Sequence, residues 1–126
     1  MTDKNIDRDR VPENAGSFPP DTPGVSTGTA GSASGPLVRI QAQIDPETSR
    51  VLEARFKAFG CASTIAACSL VTSRVRGMSL DDAALLGVGE VQAAMGLPPD
   101  KRHCAELAIE ALRKALTDAR SGQRGQ

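Results

Sequence analysis

Two alternating stretches meet head to head around one turn, and that pattern limits the folds open to this chain. In residues 37–44, Val38, Ile40, Ala42 and Ile44 share one face and Arg39, Gln41 and Gln43 the other, the period of a strand with one wet side. Asp45-Pro46-Glu47-Thr48-Ser49 follows with turn chemistry. A second alternation sets Leu52, Ala54, Phe56 and Ala58 against Glu53, Arg55 and Lys57. An antiparallel hairpin accounts for all of it. Matching the apolar faces places Ile44 opposite Leu52, Ala42 opposite Ala54, Ile40 opposite Phe56 and Val38 opposite Ala58. Extending the ladder brings Gly35 level with Cys61 and Ser34 beside it. The loop before the hairpin and the cysteine after it are expected to meet.

The chain then changes period. Residues 61 to about 75 read as a helix that is apolar nearly all round in its first half, through Ala62, Ile65, Ala66, Ala67, Cys68, Leu70 and Val71, and so as a buried one. Gly77 stops it. Ser79 followed by Leu80-Asp81-Asp82 resembles an N-cap with acidic first-turn residues, opening a short helix to about Leu86. A second short helix is expected around Glu90–Met95. After Pro98-Pro99, Asp100 is the expected cap of a last helix reaching about Ala119. Its apolar stripe is Leu107, Ala108, Ala111, Leu112, Ala115 and Ala119, with Glu110 and Lys114 paired on the wet side. Strands first and helices afterwards predict an α+β domain, a small antiparallel sheet backed by helices on one face.

Residues 1–35 are rich in Gly, Pro, Ser, Thr and charge, with Phe18 their only aromatic. That composition offers little apolar surface against the entropy of ordering, so a flexible arm is expected over 1–35, the domain over 36–120 and a disordered tail over 121–126. Fifteen basic and fifteen acidic residues cancel, and Trp and Tyr are absent. Neither a basic face nor stacking platforms point to nucleic acid. The apolar runs are too short to span a bilayer. Three cysteines without a secretion signal indicate functional thiols in a reducing, cytoplasmic setting more than a disulfide framework.

Chemistry concentrates at two loop-to-helix junctions. Cys61 follows Gly60 at a strand end, where unpaired amides lower a thiol pKa and improve both nucleophile and ligand; the alternative is a small thiol in a close turn. Cys104, preceded by His103, lies in the first turn of the last helix near Lys101 and Arg102, which favour a thiolate. It also continues the apolar stripe and so fits a core position. His103 is the only histidine, fit to bind metal, to exchange protons or simply to be solvated. Two thiols and an imidazole suit iron, zinc or an iron–sulfur cluster and fall one short of a closed ligand set. Cys68 is seven residues past Cys61, about 10 Å further along a helix. Sulfurs sharing one ion stand about 4 Å apart, so Cys68 is read as core.

Several of these segments together resemble the IscU/NifU-type iron–sulfur cluster assembly scaffold proteins, over roughly residues 14–120. They are Asn14-Ala15-Gly16-Ser17-Phe18, Glu53 through Ser63, Leu70-Val71-Thr72, Gly77 through Ala83, and Leu97-Pro98-Pro99-Asp100-Lys101-Arg102-His103-Cys104. The resemblance implies a SufE/NifU-like α+β fold and no enzymatic turnover. It also implies a scaffold that takes sulfur from a cysteine desulfurase and holds iron or a transient [2Fe-2S] cluster, with zinc an alternative occupant. Cys61 and Cys104 match two of the family's three ligand cysteines, His103 a histidine at the metal site and Lys101 a lysine beside it. Leu97, Pro98 and Pro99 match a segment recognised by a dedicated Hsp70, which with its J-type cochaperone and recipient apoproteins completes the implied partners.

The family's first ligand lies in a Cys-Gly-Asp segment that reads Ser34-Gly35-Pro36 here. A fourth ligand is therefore expected from Ser34, a partner's thiol, or a second copy in a weak homodimer, the alternative being a monomer. Two further readings stay open: a SufE-like persulfide-carrying sulfur acceptor that needs no metal, and a degenerate partner that regulates cluster assembly without binding metal.

Overall fold

The computed structural model describes residues 14–19, 21–31 and 35–124, with only the backbone of 120–124. The expected hairpin is present as β2 (Leu37–Asp45) and β3 (Arg50–Phe59), joined by the turn at 46–49. Three of the four expected pairs are found: Val38 with Ala58, Ile40 with Phe56 and Ala42 with Ala54. The fourth is corrected. A bulge at Gln43/Ile44 sets Ile44 opposite Val51, not Leu52. Leu52 becomes the extra residue of the bulged strand and is 53% exposed, while Val51 enters the core.

A third strand, β1 (Val25–Gly31), pairs antiparallel with the outer edge of β2, giving the sheet order β1-β2-β3. This corrects the arm expected over 1–35, of which residues 1–13, 20 and 32–34 lie outside the described residues. The sequence Val-Ser-Thr-Gly-Thr-Ala-Gly carries no hydrophobic alternation, because the inward positions Ser26, Gly28 and Ala30 are all small. Small size is what the site requires. A Cβ on Gly28 would stand 2.1 Å from the Ala111 carbonyl oxygen and 2.3 Å from the Ala115 nitrogen. β1 therefore packs backbone to backbone on the last helix.

Four helices follow: α1 (Ala62–Val75), α2 (Leu80–Ala84), α3 (Val88–Met95) and, after a 3-10 turn at Pro99–Lys101, α4 (Arg102–Arg124). Ser79 caps α2, its hydroxyl accepting from the Asp82 amide at 3.1 Å. Asp100 is not the cap expected for the last helix; it lies within the 3-10 turn, which opens on Pro98 and puts Pro99 at its first position. α4 also runs past Ala119 to Arg124, into the tail expected to be disordered. Glu110 and Lys114 pair at 3.2 Å, as their spacing predicts.

The inner sheet face (Val38, Ile40, Ala42, Ile44, Val51, Ala54, Phe56) packs with Ala67, Cys68, Val71 and Val75 of α1 and Ala108, Ile109, Ala111 and Leu112 of α4 in one core. α1 is buried on that face only; Ala62 and Ala66 are exposed, against the all-round burial expected of it. The free edge of β3 is covered twice. Residues 14–16 bond across it, through the Gly16 amide to the Phe56 carbonyl and the Phe56 amide to the Asn14 carbonyl, and Met78 and Gly77 do the same at Val51. The chain then crosses to the outer face, where Phe18 lies under the Arg55 guanidinium at 5.0 Å.

Candidate functional site

The β2–β3 register ends with Leu37 opposite Phe59, so β3 delivers its chain to Gly60 and Cys61 at one rim of the sheet. Cys61 has extended backbone (φ −76, ψ 172) and is the N-cap residue of α1. Its carbonyl accepts from the amides of Thr64 (3.0 Å) and Ile65 (3.2 Å), which turns the thiol out at the mouth of the helix. Cys104 arrives from elsewhere, in the first turn of α4. Because α1 and α4 pack side by side under the sheet, the two helix openings fall together. Cys61 Sγ and Cys104 Sγ are 3.8 Å apart, and His103 Nε2 stands 3.6 Å from Cys104 Sγ.

The two thiols differ. Cys104 is fully buried and Cys61 is exposed. The hydroxyl of Thr64 draws the Cys61 thiol down to about 6, helped by the Thr64 amide, the Cys104 thiol and the Ser63 amide against a partial loss of solvent. No amide forms a full capping bond to the sulfur; the opening turn acts through its field. Cys61 is thus largely thiolate at neutral pH. Cys68 is core, as expected, and burial pushes its thiol up to about 12, with the Cys104 sulfur adding to the shift.

Thr64 is the site residue that the sequence reading missed. It is one of few buried polar side chains, and its hydroxyl donates to Cys104 Sγ at 3.4 Å and lies 3.6 Å from Cys61 Sγ. Gly60 leaves it room, since a Cβ there would meet the Thr64 side chain at 3.3 Å. The available signal was spacing: a hydroxyl three residues after an N-cap lies over the cap.

The other expected residues separate into near and remote. Lys101 is half-exposed in the 3-10 turn, and among the described residues no hydrogen bond or ion pair joins it to a sulfur. Leu97 tucks against the core while Pro98 and Pro99 project into solvent. Ser34 lies outside the described residues. Among those described, no group of three His, Cys, Asp or Glu side chains is arranged to hold an ion. Cys61, Cys104 and His103 form a line of contacts that needs a further donor. A cavity of about 660 Å³ beside Pro23, Ile44, Leu52 and Asp118 contains none of these groups. A groove of about 420 Å³ between Pro36 and the His103–Glu110 face of α4 opens beside His103. Among the described residues, no helix is long and apolar enough to cross a membrane.

The chain is 39% identical over 114 residues to the Iron-sulfur cluster assembly protein 1 of Arabidopsis thaliana, covering 90% of this chain and 68% of that protein. Against the mitochondrial Iron sulfur cluster assembly protein 1 of Kluyveromyces lactis it is 40% identical, over 91% of this chain and 64% of the relative. It is 38% identical to the iron–sulfur cluster assembly scaffold protein IscU of Escherichia coli, over 95% of this chain and 94% of that one. Among solved structures, a SUF-system scaffold protein of Fervidobacterium islandicum AW-1 superposes with a TM-score of 0.64 at 16% identity, covering 88% of this chain and 92% of that one, a likeness of fold. The model of the NifU-like N-terminal domain matches residues 1–124, and the chain belongs to that family.

Proposed function

We propose that this chain is a scaffold on which iron and sulfur are brought together and then passed on. The observation that carries the reading is the 3.8 Å separation of Cys61 and Cys104 sulfurs at an open rim, with an imidazole 3.6 Å from the second. Two thiolates around one tetrahedral ion with bonds of about 2.3 Å stand about 3.8 Å apart, so the pair is spaced to share an ion. Cys61, exposed and ionised, is the group that meets an incoming persulfide. Its thiolate attacks the outer sulfur of the desulfurase persulfide, forming a Cys61 persulfide and releasing the desulfurase thiolate. Cys104, buried behind it, holds metal from the protein side. Ferrous iron and the persulfide sulfur are the substrates here: as two of each form a [2Fe-2S] cluster and leave, the sulfurs take up four electrons, two from the ferrous ions and two from an external thiol reductant that ends as a disulfide; zinc fits the same donors. The chain turns over no substrate of its own.

The rigid, exposed Pro98-Pro99 corner with Leu97 and Lys101 supports a chaperone-recognition role for that segment. A reducing compartment such as the cytoplasm keeps all three cysteines as the free thiols described. The test is anaerobic incubation with a cysteine desulfurase, cysteine and ferrous iron. Wild type is expected to retain iron and acid-labile sulfide; a colourless product that still binds the desulfurase refutes the scaffold role. The exposure of Cys61 also favours a second reading, a sulfur acceptor without metal, which predicts one added sulfur by mass on Cys61 and no iron.

A further inference from the structure

We infer that Thr64 supplies the third donor to an ion held by Cys61 and Cys104, so that the site is a two-sulfur, one-oxygen face with its fourth position open to cargo or partner. This rests on the scaffold reading and adds a residue to it. The three atoms Cys61 Sγ, Cys104 Sγ and Thr64 Oγ1 form a triangle with edges of 3.8, 3.6 and 3.4 Å. Around one tetrahedral ion with metal–sulfur bonds of about 2.3 Å and a metal–oxygen bond of about 2.0–2.2 Å, the sulfur–sulfur edge is about 3.8 Å and each sulfur–oxygen edge about 3.5 Å. All three observed edges lie close to those values. His103 Nε2 stands beside this triangle, 3.6 Å from Cys104 Sγ.

The placement of Thr64 points the same way. Its side chain is fully buried, and its hydroxyl is turned to the two sulfurs. A buried hydroxyl costs stability unless it has partners, and sulfur is a weak one. An ion in the triangle gives the oxygen a strong partner and takes up both thiolate charges, the two thiol protons passing to solvent. Two sulfurs and one oxygen suit a borderline divalent ion, ferrous iron or zinc. A neutral hydroxyl is also the weakest of the three donors, the one a departing cargo can shed first.

The experiment titrates full-length, reduced protein with Co(II) and with Zn(II) under anaerobic conditions, reading affinity and the visible spectrum of the cobalt form. The variants are Thr64→Val, Thr64→Ala, Thr64→Ser and Ser34→Ala, each checked for wild-type circular dichroism and thiol count. Wild type is expected to bind one Co(II) with charge-transfer intensity from two thiolates. Thr64→Val puts a methyl where the oxygen stood, and its Kd is expected to rise at least about ten-fold. Thr64→Ala, which adds no branch, should weaken binding as well, and Thr64→Ser should restore it. Equal affinity and spectra for wild type, Thr64→Val and Thr64→Ala overturn the assignment while leaving the two-thiol site standing. Loss in Ser34→Ala alone gives the oxygen to the loop before β2 and overturns it too. Wild type that takes up neither metal defeats the scaffold reading itself.

Discussion

Replacing Gly28 with alanine tests whether the contact between β1 and the last helix sets the geometry of the thiol site. The added Cβ would meet the Ala111 carbonyl oxygen at 2.1 Å, the Ala115 nitrogen at 2.3 Å and the Lys114 carbonyl carbon at 2.9 Å. All three are backbone atoms of α4, so no side chain can rotate away. Relief requires β1 and α4 to part by roughly 1 Å, and packed interiors resist even one extra methylene. Overpacking costs about 1–3 kcal/mol where side chains can adjust; against helix backbone the upper end applies. For a domain of 60–100 ordered residues, each kcal/mol lowers Tm by about 4–8 °C, so a fall of more than about 10 °C is expected. Separation of the two elements would also strain the bond from the Thr27 amide to Asp118, 3.3 Å long. Since α4 carries Cys104, cobalt affinity should fall with stability. Urea denaturation of Gly28→Ala measures the first effect and a Co(II) titration the second. Gly89→Ala is the control: nothing lies within 4 Å of its added Cβ, and within a helix it should be neutral or gain up to about 1 kcal/mol. A Gly28→Ala protein within about 0.5 kcal/mol of wild type would refute the close-packing argument.

The site and its surroundings yield further outcomes. Cys61 is depressed to about 6, so its alkylation by iodoacetamide in metal-free protein should rise with pH through about 6 and level off near neutrality; a midpoint near the ordinary 9.0 would contradict the role given to Thr64. Cys68 is raised to about 12 from 9.0. Between those values the unfolded chain binds fewer protons than the folded one, so stability should decline as pH climbs from about 9 toward 12. Cys68→Ala should remove that decline, and an identical slope in both proteins at alkaline pH would count against burial as its cause. Asn14→Ala removes bonds from Asn14 Nδ2 to Thr72 Oγ1 (3.2 Å) and Ser73 Oγ (2.9 Å). A loss of about 1–2 kcal/mol is expected, with faster amide exchange at Phe56, whose N–H bonds to the Asn14 carbonyl; unchanged exchange would show that the strap is held otherwise.

Much of the architecture is legible in the residues, and each failure has its own physical cause. The hairpin could be read because Val38, Ile40 and Ala42 face Ala58, Phe56 and Ala54 with an apolar period of two. The pattern breaks at Leu52, where an extra residue in the strand moves the apolar role to Val51. The bulge carries Val51 into the common core, a tertiary outcome that a strand's own alternation does not encode. β1 was unreadable for the opposite reason: its inward residues are small so that a helix backbone can approach, and small residues carry no hydrophobic signal. Cys61 could be singled out from its place after Gly60, and Cys104 from its neighbour His103. Their meeting depends on α1 and α4 lying side by side, a tertiary relation that neither helix announces. Thr64 was hidden beside Ser63 at the helix start, where neighbouring hydroxyls read as ordinary first-turn residues.

The central claim is that two thiols from separate helices share one ion. X-ray absorption at the metal edge, on wild-type protein loaded anaerobically with one equivalent of zinc, counts the sulfur neighbours directly. The account predicts two sulfurs at about 2.3 Å with lighter donors at about 2.0–2.2 Å, and one sulfur in either Cys61→Ser or Cys104→Ser. A single sulfur in wild type, or a count unchanged by both substitutions, would contradict it.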